Sequence, residues 1–242
     1  MEAVSPVVTV AVPTFQRPEG LRRCIDSILA QDHPAVEIII SDNASADGTE
    51  ELCRDYAARE PSITYLRRES NVGATANFEG LRGRGTGTYF TFIGDDDWMG
   101  PGYLSACVAA LEADPGLVVA AGRSTSHHPD GDQVPEPHPI NLSSEAAGDR
   151  ICAYYRVVRA NGVFYGVTRA GADAAVGPLR NCQGADLLHV AALAYQGRIV
   201  TLEHVALHRA VGGATRNLAN VARTLGLGWF QTYAPQLAVV GF

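Results

Sequence analysis

Runs of β-branched and aromatic residues, each stopped by polar side chains, limit what this chain can fold into. Val7-Val8-Thr9-Val10-Ala11-Val12 is stopped by Pro13, Val36-Glu37-Ile38-Ile39-Ile40 runs into Ser41-Asp42-Asn43, and residues 87–93 end in three aspartates. Ile63-Thr64-Tyr65-Leu66 is a shorter run of the same kind. Such continuous apolar runs read as parallel strands buried on both faces. Between them, Leu21, Cys24, Ile25, Ile28 and Leu29 recur at helical spacing, as do Leu52, Cys53 and Tyr56 after a start at Ser45 or Asp47. Residues 74–81 and 101–113 read as further helices and Leu117–Ala121 as another strand. Repeated strand and helix units of this length predict an α/β chain with a doubly wound, Rossmann-like, mostly parallel sheet and right-handed crossovers.

The ends of these strands carry the chemistry. Tyr89-Phe90-Thr91-Phe92-Ile93-Gly94-Asp95-Asp96-Asp97-Trp98 is an apolar strand that ends in adjacent carboxylates. In an open α/β sheet, ligands bind at the carboxyl ends of the strands. Three neighbouring carboxylates repel unless a cation or donor hydrogens offset them. Oxygen-only ligands at this density suit Mg²⁺ or Mn²⁺, which commonly join one or two carboxylates to a substrate diphosphate. A solvated acidic turn is the plainer alternative.

Composition narrows the partners. With 242 residues and 46% hydrophobic content, the chain can bury a substantial core as one domain. A formal charge of −7 and the lack of a basic tract argue against nucleic-acid binding. No apolar run reaches 18 residues and no signal pattern opens the chain, so the expectation is a soluble, cytoplasmic protein without a transmembrane segment. Cys24, Cys53, Cys107, Cys152 and Cys182 are odd in number and lack CxxC spacing, which points to free thiols. A homodimer is left open.

The second portion is less regular. Residues 124–150 hold His127, His128, His138 and the prolines 129, 135, 137 and 139, which predicts a long loop or flap without regular structure. The helix expected over 145–160 places Ile151, Tyr154, Tyr155 and Val158 on one face, and 162–167 reads as a strand. Asp186 opens an apolar helix stopped by Gly197, 198–208 reads as a strand or strand pair, and 217–233 as a terminal helix.

Pro13-Thr14-Phe15-Gln16-Arg17, Ser41-Asp42-Asn43-Ala44-Ser45-Ala46-Asp47-Gly48-Thr49, Asn71-Val72-Gly73 and Phe92-Ile93-Gly94-Asp95-Asp96-Asp97-Trp98 resemble, in order and spacing, the nucleotide-sugar-binding half of glycosyltransferase family 2. The resemblance covers 7–122 closely and 160–215 loosely. It implies the GT-A fold, with a nucleotide-sugar-binding half over 1–125 and an acceptor-binding half over 126–242. It also implies inverting, metal-dependent transfer from a UDP- or dTDP-sugar to a hydroxyl acceptor. By the same resemblance Pro13, Thr14 and Phe15 line the nucleoside pocket, Arg17 reaches a phosphate, and Asp42 accepts the imide N–H of uracil or thymine. Asn71, Gly73 and Asn77 close over the nucleotide, Asp95 contacts the ribose, and Asp96 binds the metal with help from Asp97. His208 is either a third metal ligand or a donor to the leaving phosphate. Arg209 or Arg216 offsets the charge developing there, and Gly212-Gly213-Ala214-Thr215 folds over the diphosphate. Asp186 is the candidate general base, although Ala185 stands where relatives carry Glu. Two other functions stay open: a nucleotide-sugar-binding module without catalysis, and a sugar-phosphate nucleotidyltransferase. The latter needs a glycine-containing loop that Pro13–Pro18 does not provide.

Overall fold

The computed structural model describes residues 5–212. The expected terminal helix at 217–233, Arg216 and the 213–215 segment lie outside the described residues. Four βα units come first: β1 (Val8–Thr14), α1 (Pro18–Leu29), β2 (Val36–Asp42), α2 (Thr49–Arg59), β3 (Ile63–Arg67), α3 (Ala74–Glu79), β4 (Tyr89–Phe92), the two-residue β5 (Trp98–Met99) and α4 (Tyr103–Ala113). Then follow β6 (Leu117–His127), β7 (Gln133–Pro135), α5 (Ala147–Val157), a 3₁₀ turn (Gly162–Tyr165), β8 (Val167–Arg169), α6 (Ala170–Ala175), α7 (Ala185–Gln196) and β9 (Arg198–Ala210).

All seven residues of β1 and all four of β4 are buried, as their unbroken apolar sequences require of central strands. The sheet order is β3-β2-β1-β4-β8-β6-β9-β5, with β7 paired to β6. β1 pairs in parallel with both β2 and β4, and β2 with β3. β8 is antiparallel to both its neighbours, β6 and β9 are parallel, and β5 is antiparallel to β9. From β1 the chain winds outward to β3, then returns to lay β4 on the other side of β1. That reversal is the topological switch point, so a crevice is expected beyond the carboxyl ends of β1 and β4. Thr14 and the aspartate triplet stand there.

Three expectations need correction. The 124–150 segment is not free of regular structure: β6 runs on to His127 and turns back through β7, pairing Thr125 with Pro135 and His127 with Gln133. Proline is tolerated because β7 is an edge strand whose N–H is not required by the ladder. Residues 162–165 form a 3₁₀ turn rather than the start of a strand, and only Val167–Arg169 joins the sheet. The helix expected over 145–160 is shorter, ending at Val157. One core packs around α1, α2, α4 and the parallel strands, and a second joins α5, α7 and the far face of β6. All five cysteines are free thiols. Among the described residues no helix is long and apolar enough to cross a membrane.

Candidate active site

The carboxyl ends of β1 and β4 are tied together through Asp95. Thr14 Oγ1 donates to Asp95 Oδ2 at 2.8 Å, and the Phe15 N–H donates to the same oxygen at 3.2 Å. Arg17 sits where the β1 loop meets α1, and its Nη1 reaches Asp95 Oδ1 at 3.3 Å and Asp96 Oδ2 at 2.5 Å. Gly20 lets α1 approach this turn: a Cβ there would stand 2.9 Å from the Asp95 carbonyl oxygen and 3.2 Å from Asp96 Cα. Arg23 donates to the Asp96 carbonyl at 2.7 Å and lies 3.9 Å over the Trp98 ring. A cleft of about 450 Å³ opens here, lined by Arg17, Gly20, Asp96, Ala210 and Gly212 among others. A smaller cavity of about 350 Å³ lies at the opposite, amino end of β1 beside Thr9 and Arg82, away from the carboxylates.

Asp97 turns toward the end of β9. Its Oδ1 accepts the Ala210 N–H at 3.0 Å, and Arg209 Nε lies 3.8 Å from its Oδ2. Burial pushes the Asp97 carboxyl up to about 7, helped by Asp96 and opposed by Arg209. Burial also raises Asp95 to about 6 against the pull of Arg17. A Cβ at Gly94 would stand 3.1 Å from Asp97 Oδ2 and 3.3 Å from Asp96 Oδ1, so the absence of a side chain there leaves room for an oxygen of each carboxylate.

Among the described residues no group of three or more His, Cys, Asp or Glu is placed to hold a metal ion. Asp96 and Asp97, oxygen ligands on one turn, have the chemistry that suits Mg²⁺ or Mn²⁺, which take one or two carboxylates and complete their shell with water and substrate phosphate. His208 is not grouped with them as a third ligand. Its Nδ1 lies 3.0 Å from His127 Nε2, and its ring stacks on Trp98. Burial and the neighbouring His127 lower its pKa.

The β2 end forms the second wall. Asp42 is fully buried, and its carboxylate accepts from the Ser45 N–H at 2.9 Å, Tyr65 Oη at 2.9 Å and Arg67 Nη1 at 2.6 Å. The Gln16 N–H donates to Ser45 Oγ at 2.9 Å, so the loops after β1 and β2 are locked to each other. Gln16 and Ala44 both have positive φ (55° and 61°), a conformation unusual for residues with a Cβ. Asn71 Oδ1 accepts from Asn43 Nδ2 and from the Gly73 N–H, and Gly73 adopts φ 83°, which favours glycine. Asn77 is buried against β2, bonded to both the hydroxyl and the carbonyl of Ser41. Pro13 is itself a β1 residue, buried beside Thr14. Phe15 and Val72 are among the exposed large apolar residues.

Asp186 stands in the first turn of α7, and its Oδ2 accepts from Asn161 Nδ2 at 3.0 Å. Asn161 Oδ1 in turn accepts from Tyr154 Oη at 2.7 Å. Burial works against the charge of Arg209, but Tyr165, Asp97, Glu136 and Asp186 together raise its pKa. Of the triplet, Asp97 is the member that Arg209 faces. Glu136, just beyond β7, was not singled out in the sequence, where it sits among turn-forming prolines. Burial pushes its carboxyl up to about 7 against Arg209 and Arg123. Asn161, Tyr65 and Arg67 were missed as well; only the Asn161-Gly162 dipeptide, a turn signal, marked any of them.

The mostly parallel sheet with a crevice at its switch point has the architecture of the GT-A fold. Comparison with known proteins agrees. The model of "Glycosyl transferase family 2" matches residues 9–160, and the chain belongs to that family. It is 32% identical over 101 residues to "Glycosyltransferase GlyA" of Streptococcus pneumoniae, a match covering 42% of this chain and 14% of that protein. Among solved structures, the mannosyltransferase PcManGT from Pyrobaculum calidifontis in complex with GDP-Man and Mn²⁺ has a TM-score of 0.66 at 20% identity, covering 97% of this chain and 65% of that one. S. aureus TarS 1-349 in complex with UDP-GlcNAc has a TM-score of 0.67 at 16% identity, covering 90% of this chain and 64% of that one. The chain therefore spans less than two thirds of these proteins.

Proposed function

We propose that this chain is an inverting, metal-dependent glycosyltransferase that moves a sugar from a UDP- or dTDP-sugar to a hydroxyl acceptor. The observation that carries the reading is the carboxylate cluster at the switch point, with Asp96 opening on the cleft beside Arg17 and Asp97 facing Arg209 Nε at 3.8 Å. Family membership and the UDP-GlcNAc bound by TarS support it, and the GDP-Man and Mn²⁺ of PcManGT support a nucleotide-sugar and a divalent metal without bearing on the base.

In this reading Phe15 and the β1 loop flank the nucleoside, and Asp95 takes a ribose hydroxyl. Asp42, expected to accept the imide N–H, is instead enclosed by Ser45, Tyr65 and Arg67 with no accessible surface, so in this reading it braces the wall of the base pocket rather than touching the base. Asn71, Gly73 and Asn77 hold the β2 and α3 loops in shape around the nucleotide. Asp96 and Asp97 would hold Mg²⁺ or Mn²⁺, which when bound would supply positive charge for the diphosphate, and His208 would serve as a donor to the leaving phosphate. Asp186 Oδ1 takes the proton of the acceptor hydroxyl while that oxygen bonds to the anomeric carbon from the face opposite the diphosphate. The bond from the anomeric carbon to the phosphate oxygen breaks, and its electron pair leaves with the nucleoside diphosphate. Arg209 offsets the charge that develops there.

A thermal-shift panel of UDP, dTDP and GDP with and without Mn²⁺ tests the reading, because a ligand that binds only the folded state raises Tm by mass action. UDP or dTDP should stabilise the protein, more so with Mn²⁺. No shift with any nucleotide would refute the proposal. Slow hydrolysis of a UDP-sugar, lost in Asp96→Ala, separates a catalyst from a binding module.

A further inference from the structure

Two side chains that the local backbone would normally claim are spent elsewhere. Asn161 is the residue before the 3₁₀ turn, where an asparagine commonly caps the first backbone N–H groups, yet it makes no such bond. Asp186 lies in the first turn of α7 behind Gly184, and no side chain caps that helix either. The two side chains meet instead: Asn161 Nδ2 donates to Asp186 Oδ2 at 3.0 Å. Tyr154, fully buried on α5, donates its hydroxyl to Asn161 Oδ1 at 2.7 Å.

This chain of bonds has a direction. An ionised carboxylate only accepts, so the NH₂ end of the amide faces Asp186 and the Tyr154 hydroxyl donates to the remaining Oδ1. The donated hydrogen takes one acceptor position on Oδ2 and leaves Oδ1 without a bond from Asn161. An amide supplies this bond without adding charge, so it does not neutralise the carboxylate as an arginine or lysine would. Ala185, with a methyl side chain, cannot help to orient Asp186. Helix α5 and the 160–162 turn do so from outside α7.

We propose that Asn161, held by Tyr154, is a positioning residue that aims Asp186 Oδ1 at the substrate oxygen. The proposal rests on the reading of Asp186 as the base. During transfer the proton moves from the attacking hydroxyl to Asp186 Oδ1, while Asn161 and Tyr154 keep theirs.

The test uses the full chain with UDP-GlcNAc and GDP-mannose as probes and water as the acceptor oxygen. Asn161→Ala should lower kcat of hydrolysis about 10- to 100-fold, the range expected for a lost hydrogen bond to a charged group. KM and the nucleotide-induced Tm shift should stay near wild type. Tyr154→Phe, which frees the amide to turn over, should lose less. In an Asp186→Asn background, Asn161→Ala should cost little more, because a residue acting only through Asp186 has nothing left to position. A full additive loss in that background, or a matching loss of nucleotide binding, would overturn the proposal. Asp186→Asn at wild-type turnover would instead remove the base assignment, whatever Asn161 does. A reading independent of turnover is the NMR signal of the Asn161 side-chain amide, assigned by its loss in Asn161→Ala. Its protons should exchange slowly and shift on both Asp186→Asn and Tyr154→Phe, and signals indifferent to both substitutions would also overturn the proposal.

Discussion

Removing Arg17 should make the protein less stable and yet improve its affinity for Mn²⁺. Arg17 Nη1 holds Asp96 Oδ2 at 2.5 Å and Asp95 Oδ1 at 3.3 Å, with the Arg17 and Asp96 side chains 32% and 25% exposed. A cation arriving at Asp96 must compete with this guanidinium. At an effective dielectric near 20, two unit charges 4 Å apart attract by about 4 kcal/mol. Desolvation and partial exposure cancel most of that, leaving about 0.5–2 kcal/mol for a charge-assisted pair of this kind. Arg17→Gln should therefore lower Tm by roughly 1–8 °C for a chain of this size. The same free energy no longer opposes the ion, so Mn²⁺ should bind about 2- to 30-fold more tightly without nucleotide. Free Mn²⁺ followed by electron paramagnetic resonance during titration measures this directly. A lower Tm with unchanged or weaker Mn²⁺ binding would show that the ion does not come to Asp96.

Glu136→Gln should stabilise the protein only at higher pH. Burial lifts the folded-state carboxyl from its ordinary value of 4.5 to about 7, so the folded chain holds the extra proton and wild-type stability falls as pH rises through that window. The Tm difference between variant and wild type should be near zero at pH 4.5 and positive at pH 8; a constant offset would refute it. Asp173 shifts the opposite way. Burial opposes its charge, but His189 at 3.1 Å and Arg82 at 3.0 Å hold it below its ordinary value, so its contribution is present above pH 4 and lost as pH falls through the lowered value. Asp173→Asn should cost about 3 kcal/mol at pH 7, as for breaking a buried ion pair, and the gap in urea midpoints should narrow toward pH 2. Gly20→Ala gains about 1 kcal/mol of helix propensity but sets a Cβ 2.9 Å from the Asp95 carbonyl oxygen. Overpacking against backbone costs about 1–3 kcal/mol, so Tm should stay level or fall while the nucleotide-induced Tm shift shrinks.

The parallel half of the fold was legible because its strands are buried on both faces and therefore uniformly apolar, as at Val8–Val12 and Ile38–Ile40. Their carboxyl ends announce themselves by an abrupt change to polar residues, which is why Thr14, Asp42 and Asp95–Asp97 could be named in advance. The second half was harder to read for the opposite reason. Its strands are short, antiparallel or at an edge, so β5 and β8 bury too few residues to leave a pattern. The β6–β7 hairpin was hidden by prolines that an edge strand tolerates. Tyr154 reads as one more apolar position on a helix, and nothing in its spacing tells that its hydroxyl meets Asn161. Such contacts join residues through tertiary packing, which periodicity does not encode. Asp42 was legible as a carboxylate at a strand end, whereas the three donors that fill it come from residues 45, 65 and 67 and depend on the register of β2 with β3.

The charge balance at the cleft predicts how metal and nucleotide bind together. Asp95, Asp96 and Asp97 face two guanidinium groups, Arg17 from the loop after β1 and Arg209 from the end of β9. With all three carboxylates ionised the site carries a single net negative charge; a divalent ion alone would reverse it, and a nucleoside diphosphate alone would deepen it. Each ligand is therefore less favourable alone than in the company of the other. UDP should tighten Mn²⁺ binding, and Mn²⁺ must tighten UDP binding by the same factor, since coupling between two binding equilibria is reciprocal. A coupling of about 5- to 150-fold is typical of linked sites. Calorimetric titrations of each ligand in the presence and absence of the other measure both arms. In Arg209→Met, which leaves the site more negative, Mn²⁺ alone should bind more tightly and UDP alone more weakly. Independent binding of the two ligands in the wild-type protein would mean that the three carboxylates and the diphosphate do not share one ion.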